Sequence, residues 1–132
     1  MDFRFSILDY EILLMNEQAF KDKTKRFACE VIRLIETLSK QHMTAGVLGK
    51  QLLRSGTSVG ANYRAACRGK SAADVIAKLG VVEEEADESL YWMELLIESG
   101  VVKAGAVADL MSEANEILAM TVASIKTLRG RK

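Results

Sequence analysis

A chain of 132 residues that is 49% hydrophobic and 27% charged suits one domain, able to bury roughly two-thirds of its unfolded surface without a metal or a disulfide. That composition excludes a disordered chain, and no apolar run approaches the roughly 20 residues of a membrane span. The 18 basic and 18 acidic residues balance, so any charge selectivity must come from how they are distributed.

The opening "MDFRFSILDYEILLMN" is interrupted by Asp2, Asp9 and Glu11 and makes a poor signal peptide, which points to a cytoplasmic protein. It is more apolar than a free tail should be, and the expectation is an N-terminal arm packed on the domain or on a neighbouring subunit. Only its first eight residues hint at a strand.

Four segments then repeat apolar residues at spacings of three and four, and the chain has no proline to break them. Helices are predicted over about 17–39, 44–68, 71–99 and 105–129. Their core stripes are Phe20, Thr24, Phe27, Val31, Leu34 and Leu38; Leu48, Leu52, Ser55, Val59, Asn62 and Ala66; Ala72, Val75, Leu79, Val82, Ala86, Ser89, Met93 and Leu96; and Val107, Leu110, Ala114, Ile117, Thr121 and Leu128. Thr44 is a candidate N-cap, Ser71 and Asp74 have capping-box spacing, Gly69 suits a helix end, and Gly100 and Gly105 bracket the last connection. Connections this short force antiparallel neighbours, so the predicted fold is an all-α, up-down-up-down four-helix bundle. Cys29 and Cys67 fall inside apolar patterns, where buried reduced thiols are expected.

The second segment contains "LLRSGTSVGANYRAA", whose glycines and hydroxyls suggest a phosphate loop. A Walker-type loop needs G-x-x-x-x-G-K-[ST]; here Thr44 stands for the first glycine and Gln51 follows Lys50, and the helical period runs straight through. A helix kept narrow for a close neighbour fits better, with Gly49, Leu53, Gly56, Gly60, Tyr63 and Cys67 forming a stripe beside the core and Ser55, Ser58 and Asn62 lying near it. Mid-helix glycines cost roughly 1 kcal/mol each, which a packing contact must offset.

Charge is segregated along the chain. Between Glu36 and Asp74 all the charges are basic, while from Ser71 to Glu116 acidic residues face only Lys78 and Lys103. A third stripe on the second helix, through Lys50, Arg54, Thr57, Ala61, Arg64 and Arg68, mirrors Lys78, Val81, Glu85, Glu88, Trp92 and Leu95 on the third. A hairpin turning near Gly69 and Lys70 would set Arg54 opposite Glu85. This pairing is either a solvated charged face, worth about 0 to 1 kcal/mol, or a partly buried pair at a helix or subunit junction.

"QLLRSGTSVGANYRAA" followed by "KSAADVIAKLGVVEEEADESLYWMELL" resembles the small bacterial four-helix-bundle proteins encoded in intervening sequences of the large-subunit ribosomal RNA gene, a family related to accessory proteins of diversity-generating retroelements. The resemblance is close from Gln51 to about Leu96. It rests on Arg54, Ser55, Ser58, Ala61, Asn62, Tyr63 and Arg64, and on Asp74, Lys78, Leu79, Glu85, Ala86, Glu88, Tyr91 and Trp92. It implies a ring-like homopentamer with no established enzymatic activity and, for the retroelement relatives, binding to a reverse transcriptase and to nucleic acid. Two departures stand out: Ala65 replaces the glutamate usual after "ANYR", and the chain is neutral where the nucleic-acid-binding relatives look strongly basic.

Other constellations are poor in chemistry. "EEEADE", Glu83 to Glu88, lacks the Glu-x-x-His pairs of a di-iron bundle, and the only histidine, His42, falls in a predicted turn. No nucleophile, base and orienting group can be assembled, and no cofactor or small-molecule substrate is indicated. The expected function is a non-enzymatic, homo-oligomeric scaffold acting through protein or ribonucleoprotein contacts, with Arg54, Lys78, Glu85, Glu88, Tyr91 and Trp92 as candidate interface residues. The alternative is direct RNA or DNA binding, for example beside a reverse transcriptase, through Arg64, Arg68, Lys126, Arg129 and Arg131.

Overall fold

The computed structural model describes residues 7–38 and 40–130, with side chains from Asn16 onward. Four helices follow one another: α1 (Ile7–Thr37), α2 (Met43–Ala66), α3 (Ala72–Glu98) and α4 (Ala104–Arg129). Each packs on the next, and α1 closes the ring on α4 through the slenderest of the four contacts. The result is the expected all-α up-down bundle. One boundary differs from expectation: α1 begins at Ile7 rather than near residue 17, so the predicted arm is helix from that point. Neither glycine nor proline occurs between Ile7 and Thr37, so nothing in the local chemistry ends the helix there. Of the first eight residues, with their hint of a strand, Ile7 and Leu8 are helical, and residues 1–6 lie outside the described residues.

The turns follow their residues. Ser71 Oγ accepts the Asp74 backbone N–H at 3.1 Å, and the Asp74 carboxylate takes the Lys70 N–H at 3.0 Å, one residue before the partner a capping box would use. Gly100 adopts the left-handed φ of 81° that ends α3. Gly69 is held by closeness instead: a Cβ there would lie 2.4 Å from Val75 Cγ2. The Thr44 expectation was wrong. α2 begins one residue earlier, with His42 at the cap position and no side chain capping it.

Phe27, Leu52, Val59, Val82, Met93, Leu96, Val107 and Ile117 form the main core, all without exposed surface. A second cluster of Ala66, Leu79, Ile125 and Leu128, flanked by Tyr63, Val75 and Ile76, joins the C-terminal ends of α2 and α4 to the start of α3. Buried hydroxyls are satisfied within their helices: Thr24 donates to the Phe20 carbonyl at 3.0 Å and Thr121 to the Ile117 carbonyl at 2.7 Å. The cysteine expectation holds only in part. Both thiols are free, but Cys29 is exposed and Cys67 half-buried. Cys29 sits about 200° around α1 from Phe27, on the side away from the core.

The glycine stripe of α2 meets α1. A Cβ on Gly56 would lie 2.9 Å from Val31 Cγ2, and one on Gly60 would lie 3.2 Å from Thr24 Oγ1 and 3.5 Å from the Thr24 backbone carbon. The close neighbour anticipated for these residues is therefore a helix of the same chain.

Candidate functional site

The α2–α3 hairpin assembles most of the candidate residues. Antiparallel pairing sets Arg54 against two carboxylates one turn apart on α3. Its Nη1 lies 3.3 Å from Glu85 Oε2, and its Nη2 donates to Glu88 Oε1. The same Glu88 oxygen accepts the Trp92 indole N–H at 3.2 Å, so Arg54 and Trp92 share one acceptor, Glu88 Oε1. Tyr91 stacks edge-on to Trp92 with ring centroids 5.1 Å apart and stands half exposed.

Arg54 retains 49% of its side-chain exposure while Glu85 retains 16% and Glu88 34%, so the pair sits at a water-facing seam rather than in the core. The electrostatics agree with that position. Glu88 is held below its ordinary range, first by the Arg54 guanidinium and then by the Trp92 N–H, and Glu88 in turn raises Arg54. Directly beneath the seam, Ser89 Oγ donates to Ser55 Oγ at 2.9 Å, and Ser55 reaches the Leu52 carbonyl at 3.3 Å.

Other candidates are used differently from one another. Lys78 turns to Asp74 on its own helix at 2.7 Å and, with the Lys70 N–H, depresses that carboxyl. Ser58 and Asn62 donate back to the α2 carbonyls of Arg54 and Ser58, at 2.6 and 2.8 Å. Of the small residues, Gly56 and Gly60 make room for α1, and Gly49 does so for Ile35 and Leu38 at its C-terminal end.

Arg64, Arg68, Lys126 and Arg129 are drawn to one end of the bundle by the second hydrophobic cluster, and Lys70 joins them there. None of the five forms an ion pair among the described residues. Arg131 lies outside the described residues.

Two sets of contacts were not anticipated from the sequence. Lys23 bridges α1 to α4: its ammonium donates to Glu116 at 2.6 Å and lies 3.0 Å from Glu113 Oε1 but off the hydrogen-bonding axis, and these contacts raise its pKa, Glu116 most. Tyr63 lies on Phe20 with centroids 4.3 Å apart, and burial raises both its hydroxyl and the neighbouring Cys67 thiol. Glu113 and Glu116, three apart beside the α4 core stripe, were the available signal for the first. The second depends on how α1 lies across α2, which no local pattern carries.

Among the described residues no group of three or more histidines, cysteines or carboxylates is placed to hold a metal, and no helix is long and apolar enough to cross a membrane. An all-α four-helix bundle with a shared arginine–glutamate seam on its central hairpin is thus the class to which the chain belongs. The particular family follows from comparison: the model of the 23S rRNA-intervening sequence proteins matches residues 16–123, and this chain belongs to that family. A crystal structure of a protein of unknown function from the S23 ribosomal protein family of Bacteroides thetaiotaomicron VPI-5482 is 37% identical, with a TM-score of 0.75. The alignment covers 81% of this chain and 98% of that one. No curated protein gave a match.

Proposed function

We propose that this protein is a non-enzymatic homo-oligomeric scaffold whose contacts with copies of itself, and through them with a protein or ribonucleoprotein partner, use the α2–α3 face. The observation that carries this reading is the set of apolar side chains left in water along that hairpin. Met43 is 84% exposed, Val47 55% and Tyr91 52%. The register set by Arg54 and Ser55 brings Val47 to about the level of Leu95 and Ile97, roughly a turn beyond Trp92, so apolar surface continues from the Arg54–Glu88–Trp92 seam toward that end of the hairpin. Aromatic and arginine anchors in such surroundings are the composition of interface centres. The homopentamer implied by the family resemblance is the specific assembly we expect. Light scattering on the wild type and on Trp92→Ala tests the reading: the variant should lose assembly mass while its helical circular dichroism persists. A monomeric wild type would refute it.

A second reading, direct RNA or DNA binding, draws on the convergence of Arg64, Arg68, Lys126 and Arg129, none in an ion pair among the described residues, with Lys70 beside them. A reverse transcriptase is the partner that would bring such a nucleic acid, in the manner implied for the retroelement relatives. Binding to phosphates by these residues should weaken log-linearly with salt and lose slope in Arg68→Ala and Arg129→Ala. A salt-independent signal would remove this reading and leave the scaffold.

A further inference from the structure

We propose that the outward face of α4 is a contact between two copies of this chain, packed antiparallel about a two-fold axis near the middle of the helix. Among the described side chains, each of the other three helices turns several charges to water: Asp22, Lys25, Arg26 and Arg33 on α1; Lys50, Arg54, Arg64 and Arg68 on α2; Glu84, Asp87, Glu94 and Glu98 on α3. α4 differs. Between Leu110 and Ile125 its exposed residues are Ser112, Asn115, Glu116, Ala119, Met120 and Ala123, and Glu116 is already neutralised by Lys23 of the same chain.

This face also has relief. Ile97 at the end of α3 and Ala104, Ala108, Met111, Ser112 and Ala119 of α4 line a shallow, mainly apolar groove, and Met120 stands 40% exposed beyond it. A helix laid in such a groove would approach closely and cover apolar surface that otherwise faces water.

Charge selects the occupant and its direction. Asp109 and Lys126 lie at opposite ends of the face, both exposed, and neither forms an ion pair among the described residues. In an antiparallel pair centred near Ile117 and Leu118, Asp109 comes level with Lys126 of the partner subunit, and the same pairing recurs at the other end. Ser112 then meets the level of Ala123, and Asn115 that of Met120. A parallel pair would set like charge beside like at both ends and align the two helix dipoles unfavourably. One surface is therefore complementary to itself under a two-fold rotation, the condition for an isologous contact. α4 is not adjacent to α2 in the bundle, so this contact adds to the α2–α3 one and joins assemblies in pairs.

The test is the solution mass of the full chain, by light scattering, for the wild type and four α4 variants, with circular dichroism to confirm folding. Ala119→Arg, Asp109→Lys and Lys126→Asp should each halve the assembly mass, and the double exchange Asp109→Lys with Lys126→Asp should restore it. Single-variant losses that the double exchange does not restore would overturn the proposal, because another occupant or register would then cover the face. Unchanged mass in Ala119→Arg, with mass lost in Trp92→Ala, would overturn this contact and leave the α2–α3 reading standing. Halving by the α4 variants with Trp92→Ala unaffected would do the reverse. A monomeric wild type overturns both.

Discussion

Ser89 on α3 donates a hydrogen bond to Ser55 on α2 across 2.9 Å, at a point where neither residue is exposed. Two hydroxyls facing each other in an otherwise apolar seam fix the level at which the helices meet, because sliding either helix would leave both without the partner. Each also has a fallback carbonyl on its own helix, Glu85 for Ser89 and Leu52 for Ser55. Ser55→Ala and Ser89→Ala should therefore each cost about 1 kcal/mol. The double variant should cost less than their sum, since the two residues share one bond. Urea denaturation of the four proteins measures this, and strict additivity would show that the hydroxyls act independently.

Glycines on the two central helices should respond with opposite signs. At Gly56 a Cβ would stand 2.9 and 3.0 Å from the two methyl carbons of Val31, a fully buried, β-branched side chain with no room to turn. Gly56→Ala should destabilise by about 1–3 kcal/mol through overpacking, less the propensity gained. Gly80, inside α3, meets nothing within 4 Å. Gly80→Ala should stabilise by roughly 0.5–1 kcal/mol. Denaturant midpoints check both, and a stabilised Gly56→Ala would contradict the close approach of α1.

Acid should loosen the α2–α3 seam in a defined direction. Arg54 first, and the Trp92 N–H second, hold Glu88 below its ordinary value of 4.5. The unfolded chain therefore takes up this proton more readily than the folded one. The contribution of Glu88 is complete above the ordinary value and disappears as the pH falls through the lower, folded value. Melting temperatures measured from neutrality down to about pH 3 should fall less steeply for Glu88→Gln than for the wild type. Equal slopes would mean that the pair is too solvated to contribute.

The two thiols should differ in reactivity. Burial, and after it the Glu17 carboxylate, pushes Cys67 up to about 11, so it remains a thiol at neutral pH, whereas Cys29 is exposed on α1. Alkylation of the native protein, followed by peptide mass spectrometry, should label Cys29 first and Cys67 only slowly until the protein is unfolded. Equal labelling rates would place Cys67 in the open.

Interface substitutions should act on assembly before they act on folding. Glu85→Arg reverses one of the two charges facing Arg54 and leaves the buried Ser55–Ser89 contact in place. Its expected outcome is a lowered assembly mass with helical content intact, read by light scattering and circular dichroism together. Unchanged mass and melting temperature would make the seam a solvated face only.

Legibility was uneven along the chain. The period of three and four survived every helix interior, so residues such as Leu52, Val82 and Ile117 were placed in the core from spacing alone. Arg54 facing Glu85 was legible for a related reason: a short turn at Gly69 and Lys70 determines which levels of two antiparallel helices meet. The start of α1 was not, because apolar residues around Ile7 look the same in an arm and in a helix, and only the absence of a breaker distinguishes them. Cys29 was misplaced because an apolar neighbourhood in sequence spans more than one face of a helix.

By itself the sequence determined the number of helices, their antiparallel order and which stripe of each is buried, since these depend on periodicity and loop length within short stretches of chain. Only the tertiary structure decided that Gly56 and Gly60 admit α1, that Lys23 ties α1 to the Glu113 and Glu116 pair of α4, and that the basic residues of α2 and α4 share one end. Those outcomes depend on how helices distant in the chain rotate and cross, and packing of the whole core sets that geometry.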